Sequence, residues 1–284
     1  MARYGTLGGL LGLTALLGYL YYPVLVDLAA QWSADTTFGY GYFIPAVVAY
    51  LVWDRRHTLR SIPPQPSWWG YIVLLIGLVA LVFGRAGGIH LLARGSLIVV
   101  LFGLVLFMGG WRIVRHLSFP LAFLAVMIPP PPGVFYRLTW PLQLFTARFS
   151  TEVLRLAGYP VLLQGIFIDL PTVRLQVAEA CSGFRSLIAL GATGVLLAYM
   201  TLDRWVDRGL LIAAVVPIAI LSNAIRVTWI IVMGIRDPRF FDGPLHPASG
   251  WAVFVLATAL LLSLAALLAR RAGPAPPTMS GELA

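Results

Sequence analysis

Residues 208–233 read RGLLIAAVVPIAILSNAIRVTWIIVM, an apolar stretch with Arg226 set inside it. At about 1.5 Å of rise per helical residue, it is long enough to cross a hydrocarbon core of about 30 Å. Further blocks of this kind lie near 5–26, 38–53, 68–84, 93–111, 114–128, 183–202 and 250–269. A backbone in lipid has no water to satisfy its polar groups, so each block is expected to be a helix that closes its own hydrogen bonds. The chain therefore reads as all-α, a polytopic transmembrane helical bundle of about eight membrane helices. Residues 1–272 are expected to form a single membrane-embedded domain, and GPAPPTMSGELA at the end a flexible tail over 273–284. The segments 38–53, 68–84 and 114–128 are short for a full crossing, so they tilt little, are partly re-entrant or borrow flanking residues.

Composition leads to the same class. Of 284 residues, 60% are hydrophobic and 11% charged, whereas soluble domains carry about 25% charged residues. The net charge is +9, yet all 20 basic residues are arginine and they are scattered through short connections. With no basic cluster interleaved with aromatics, no nucleic-acid partner is expected; the arginines orient the chain instead. With the N-terminus inside, Arg3, Arg55, Arg56, Arg60, Arg112, Arg115, Arg204, Arg208, Arg270 and Arg271 fall on short cytoplasmic segments. The opposite side holds Arg85, Arg94, Arg236 and Arg239 on short loops, and Arg137, Arg148, Arg155 and Arg174 on a longer segment where charge counts for less. The bias favours both termini in the cytoplasm. The first block is followed by WSADTTFGYGYF without a small-x-small cleavage site, and reads as a retained helix.

The segment 129–181 departs from the pattern of crossings. It opens with four prolines at 129–132, which cannot be interior helix. Residues 140–158, WPLQLFTARFSTEVLRLAG, space apolar positions by three and four with Arg148, Glu152 and Arg155 on another face, as in an amphipathic helix at the membrane interface. In the stretch that follows, Val173, Leu175 and Val177 alternate with Arg174 and Gln176, a period of two that points to a hairpin or extended extracytoplasmic cap.

The cap delivers Cys181, the chain's only cysteine, to the start of the next helix. One cysteine excludes an internal disulfide and a multi-cysteine metal site, the four histidines show no metal-ligand spacing, and no metal or cofactor is expected. At a helix start, backbone N–H groups and the helix dipole favour a thiolate. Arg185, four residues on, is placed one turn deeper, to hold that thiolate or a substrate carboxylate. The plainer reading makes Cys181 a small buried hydrophobe and Arg185 a snorkelling charge. Arg226, about ten residues from its helix end, marks either a functional site or a polar network between helices, with Asn223 placed to orient it. His246 follows a short loop at the entrance of the last helix; it is either a surface histidine or a general base beside Cys181. Together, a thiolate that attacks a carbonyl, an imidazole that moves the proton and a guanidinium that stabilises the oxyanion make an acyl-transfer site.

These residues resemble the exosortase/archaeosortase family of membrane transpeptidases. The resemblance rests on AEACSGFRSLIAL at 178–190, SNAIRVT at 222–228 and HPASGW at 246–251, and extends to MIPPPPG at 127–133 and LQLFTARFSTEVLRLAGYPVLLQG at 142–165. It covers roughly 20–270, and histidine at the third motif is similar to the bacterial branch, the exosortases. The resemblance implies Cys181, Arg226 and His246 as catalytic residues, with Arg185 and Asn223 supporting. It implies a bacterial inner-membrane enzyme facing the periplasm or exterior. Such an enzyme cleaves a C-terminal sorting signal of exported proteins, made of a short motif, a transmembrane helix and an arginine-rich tail. The reaction runs through an acyl-enzyme, with transfer to a lipid-linked or glycan acceptor or release by water. Some relatives carry a further domain associated with exopolysaccharide production, which is not expected here. The alternative in another class is a transporter or flippase with a polar path lined by Arg185, Asn223 and Arg226; it has no need of a thiol.

Overall fold

The computed structural model describes residues 2–35, 37–171, 173–237, 240 and 245–271; the side chains at 2–11, 180 and 245–247, and the tail from 272, lie outside the described residues. The chain is a multi-pass membrane protein, and 82% of the described residues are helical. It divides into two compact units, Met1–Pro131 and Pro132–Ala284.

The first unit contains α1 (Ala2–Ala34), α2 (Phe43–Asp54), the short α3 (Arg56–Ser61), α4 (Trp68–Ala86) and α5 (His90–Phe123). Glycines at every seventh position of α4, Gly70, Gly77 and Gly84, face Phe107, Val100 and Ala93 of α5, each so close that a Cβ would collide. In lipid, where apolar burial gives little drive between helices, such small residues let two backbones approach and pack. At Gly110 α5 bends, with φ 80° and ψ −179°. The carbonyl of Gln65 lies where a side chain at 110 would be, and Gln65 N donates to Gly109 O over 3.2 Å. The arms on either side of the bend are the segments expected near 93–111 and 114–128.

Charge inside this unit is paired. Arg94, its side chain only 8% exposed, bonds Asp27 at 2.7 Å, and His90 Nδ1 lies 3.1 Å from the same carboxylate oxygen. Trp32 Nε1 donates to Met127 O over 3.0 Å, tying the end of α1 to the 3-10 turn after α5.

Across the described residues, 6 helices are long and apolar enough to cross a membrane, against about eight expected. Two features account for the difference. The second expected crossing forms α2, a helix of 12 residues, and the fourth and fifth are two helices that meet at the Gly110 kink with no loop between them, so they count as one span.

The second unit opens with α6 (Pro132–Leu156). Pro132 stands at its first position, where a missing N–H is no loss, and the other prolines of the run stay outside it. Its amphipathic pattern is the reverse of a soluble helix. Thr139, Gln143, Thr146, Ser150 and Thr151 are buried, while Tyr136, Leu138, Trp140, Phe145 and Leu156 are exposed. Arg148, Glu152 and Arg155 are exposed as expected. The buried polar stripe packs on α8 (Trp205–Arg236), where Thr228 Oγ1 lies 2.9 Å from Ser150 Oγ.

Three short strands follow, β1 (Leu162–Gln164), β2 (Phe167–Asp169) and β3 (Arg174–Gln176), antiparallel in the order β1-β2-β3. The sheet is one strand larger than a hairpin, and Leu163, Ile168 and Leu175 stand in register across it. Ile168 is fully buried against Ala147 and Leu154 of α6 and Val227 and Ile231 of α8. Gln143 Nε2 donates to Val177 O over 3.1 Å, fastening α6 to the strand exit. The unit is completed by α7 (Phe184–Thr201) and α9 (Leu245–Arg271), which share a second apolar core with the first half of α8.

Candidate functional site

Along α8, Leu211, Val215, Ala219, Asn223, Val227 and Ile231 recur at every fourth residue, a row inclined to the helix axis that winds from one neighbour to another. The first three belong to the core shared with α7 and α9, and the last two to the core shared with α6 and the sheet. Asn223 is the polar member of the row, 1% exposed, at the point where one core gives way to the other. A buried amide requires partners. Its Nδ2 donates to the backbone carbonyl of Cys181 over 2.8 Å.

Cys181 closes a 3-10 turn, Glu179–Cys181, ahead of α7. The chain enters the helix through Gly183, the N-cap residue, with φ 85°. That left-handed backbone disfavours any side chain. A Cβ at 183 would also stand 3.0 Å from Asn223 Cβ, Cγ and Nδ2. Glycine is thus required twice over: it turns the backbone, and it lets Asn223 reach the cysteine carbonyl. Ser182 Oγ accepts from Phe184 N at 3.2 Å, and the Phe184 ring meets Phe135 of α6 edge-on at 4.9 Å.

This geometry corrects the expected electrostatics. Cys181 precedes the helix instead of occupying its first turn, and it packs half-buried against the core of α6, the sheet and α8. Burial pushes its thiol up from the ordinary value, while the positive charges of Arg226 and then Arg185 pull it back down. Arg185 lies in the first turn of α7 with its side chain exposed, so its influence on Cys181 crosses the turn and does not run along a helix face.

Arg226, one residue short of the apolar row, is half-buried. Its Nε donates to Ser249 Oγ over 3.0 Å. Ser249 is buried in the opening turns of α9, and a Cβ on the adjacent Gly250 would lie 3.7 Å from Arg226 Cζ and Nη2. Cys181, Asn223 and Arg226 are therefore linked by contact and charge, and Arg226 extends the group to α9. The backbone of His246 lies in the first turn of α9; its side chain lies outside the described residues. Ser249 and Gly250 were not singled out by the sequence reading, although both fall within HPASGW. Their helical spacing from His246, three and four residues, was the available signal. Among the described residues no three His, Cys, Asp or Glu side chains gather as a metal site would require.

Residues 32–263 match the family model described as transmembrane exosortase (Exosortase_EpsH). The chain belongs to the transmembrane exosortase family. The match runs through the Cys181 turn, Asn223, Arg226, His246 and Ser249, and it assigns the chain an exosortase-type membrane enzyme function. No match was found among curated proteins or among solved structures.

Proposed function

We propose that this exosortase is a thiol transpeptidase or protease that cuts a C-terminal sorting signal from exported proteins, with Cys181 as nucleophile, Arg226 as electrostatic partner and His246 as proton carrier. The observation that carries the reading is the Asn223 bond to the Cys181 carbonyl, which holds the cysteine turn against the helix bearing Arg226. A buried amide spent on fixing one backbone carbonyl beside a thiol is the economy of a positioned nucleophile.

In the reaction, the Cys181 thiol gives its proton to His246, and Sγ bonds to the carbonyl carbon of the scissile peptide. The oxyanion forms near Arg226, whose charge favours it in a site shielded from water. Collapse breaks the C–N bond, and His246 returns the proton to the leaving amine. A thioester then joins the substrate to Cys181. Water, or a hydroxyl or amine of a lipid-linked or glycan acceptor, attacks the thioester, gives its proton to His246 and restores the thiol. The charge bias of the loops supports a site on the periplasmic or exterior face of the bacterial inner membrane. The substrate, itself a membrane helix with an arginine-rich tail, approaches through lipid.

The test is the mass of a co-expressed sorting-signal protein in membranes holding the native chain or Cys181→Ala. Loss of the signal with the native chain alone supports the proposal, and the terminal mass separates a free acid from a transferred adduct. An uncut matched substrate in both, with both chains folded, overturns it. Function retained in Cys181→Ser belongs to the transporter reading.

A further inference from the structure

Arg226 and Ser249 stand on different helices, and their bond joins α8 to the beginning of α9. A guanidinium is a rigid plane with Nε on one edge and two terminal nitrogens on the other. Holding Nε fixes one edge of the plane and limits where the terminal nitrogens point. Ser249 does this, at 3.0 Å from Nε. Gly250 lies beside the plane: a Cβ there would stand 3.7 Å from Cζ and Nη2 and 3.9 Å from Nε, ordinary contact distances, so the glycine itself leaves room next to the guanidinium.

We propose that Ser249 and Gly250 form a seat that fixes the direction of the Arg226 guanidinium, Ser249 as the positioning residue that holds Nε and Gly250 as the position without a side chain that leaves room for the plane. The seat rests on the reading of Cys181 and Arg226 as partners in catalysis. It also gives the α9 turn that carries His246 a direct hold on Arg226, so that three motifs far apart in sequence keep one geometry.

The test uses the full chain in lipid nanodiscs and reads the pH dependence of iodoacetamide modification at Cys181, which is unambiguous because the chain has one cysteine. Arg226 lowers the thiol's affinity for its proton, so a misdirected guanidinium raises the midpoint. Ser249→Ala is expected to shift the midpoint upward, in the direction of Arg226→Gln and by less, while Ser249→Thr retains the native value. Gly250→Ala is expected to leave it in place and Gly250→Leu to raise it, which keeps the test open if Ser249→Ala does not fold. Adding Ser249→Ala to Arg226→Gln is expected to change nothing further. In processing assays Ser249→Ala lowers kcat by about tenfold with KM little altered. Native midpoints in both Ser249→Ala and Gly250→Leu overturn the seat. So does a Ser249→Ala shift that persists in full without Arg226. Midpoints that shift as expected in a chain that cuts no sorting signal uphold the seat and overturn the enzymatic reading.

Discussion

Asn223 and Gly183 show how few atoms hold the cysteine turn in place. Asn223→Ala removes the donor to Cys181 O and leaves a void at a position that is 1% exposed. A drop in kcat of about 10- to 100-fold is expected, measured on processing of a sorting-signal protein, with the variant still folded in the membrane. Asn223→Asp, which sets an acceptor against that carbonyl, is expected to be worse. The pH profile follows from the thiol. Burial raises it and the arginines lower it, so alkylation of Cys181 is expected to quicken as pH climbs toward the thiol's pKa. Arg226→Gln removes the larger of the two lowering effects, and the ascending limb is expected to move to higher pH; Arg226→Lys is expected to move it less. Cys181 and Arg226 were legible in sequence because a lone thiol and a charge inside an apolar block are rare. The raised thiol was not, since it depends on the core that α6 and the sheet close around the turn.

At the scale of elements, helices meet where small residues permit. Gly77 of α4 faces Val100, with a would-be Cβ 2.6 Å from Val100 Cγ2 and 3.0 Å from its backbone N. Gly77→Leu is expected to lower stability by about 1–3 kcal/mol through overpacking, read as a fall in thermal midpoint in detergent. Gly95→Ala, which projects into open space, is expected to leave it unchanged. Apolar length located most of the membrane helices, including the two that meet at Gly110, yet it could not show that a single non-helical residue joins them. That bend depends on Gln65, a residue distant in sequence whose carbonyl occupies the side-chain space. Residues 140–158 read as amphipathic, and Arg148, Glu152 and Arg155 are exposed as expected. Apolar spacing did not show that Thr139, Gln143, Thr146 and Ser150 turn inward beside Ala147 and Leu154, because that stripe is set by the helix it packs on.

For the whole molecule, the family match and the apolar helices establish a multi-pass exosortase, and the orientation remains a proposal from loop charge. Because Cys181 is the one thiol, the native chain carries its own topology probe. A membrane-impermeant maleimide added to spheroplasts is expected to label it, with little labelling in inverted vesicles until detergent is added; the reverse pattern places the site in the cytoplasm. The central claim is a thioester on Cys181. Its most direct test is acid quenching of membranes that are processing a sorting-signal protein, followed by mass spectrometry of the peptide containing Cys181. The expected result is a hydroxylamine-labile adduct whose mass equals the truncated substrate less one water, lost in Cys181→Ala together with cleavage. Continued cleavage in Cys181→Ala, with no adduct in the native chain, would contradict it.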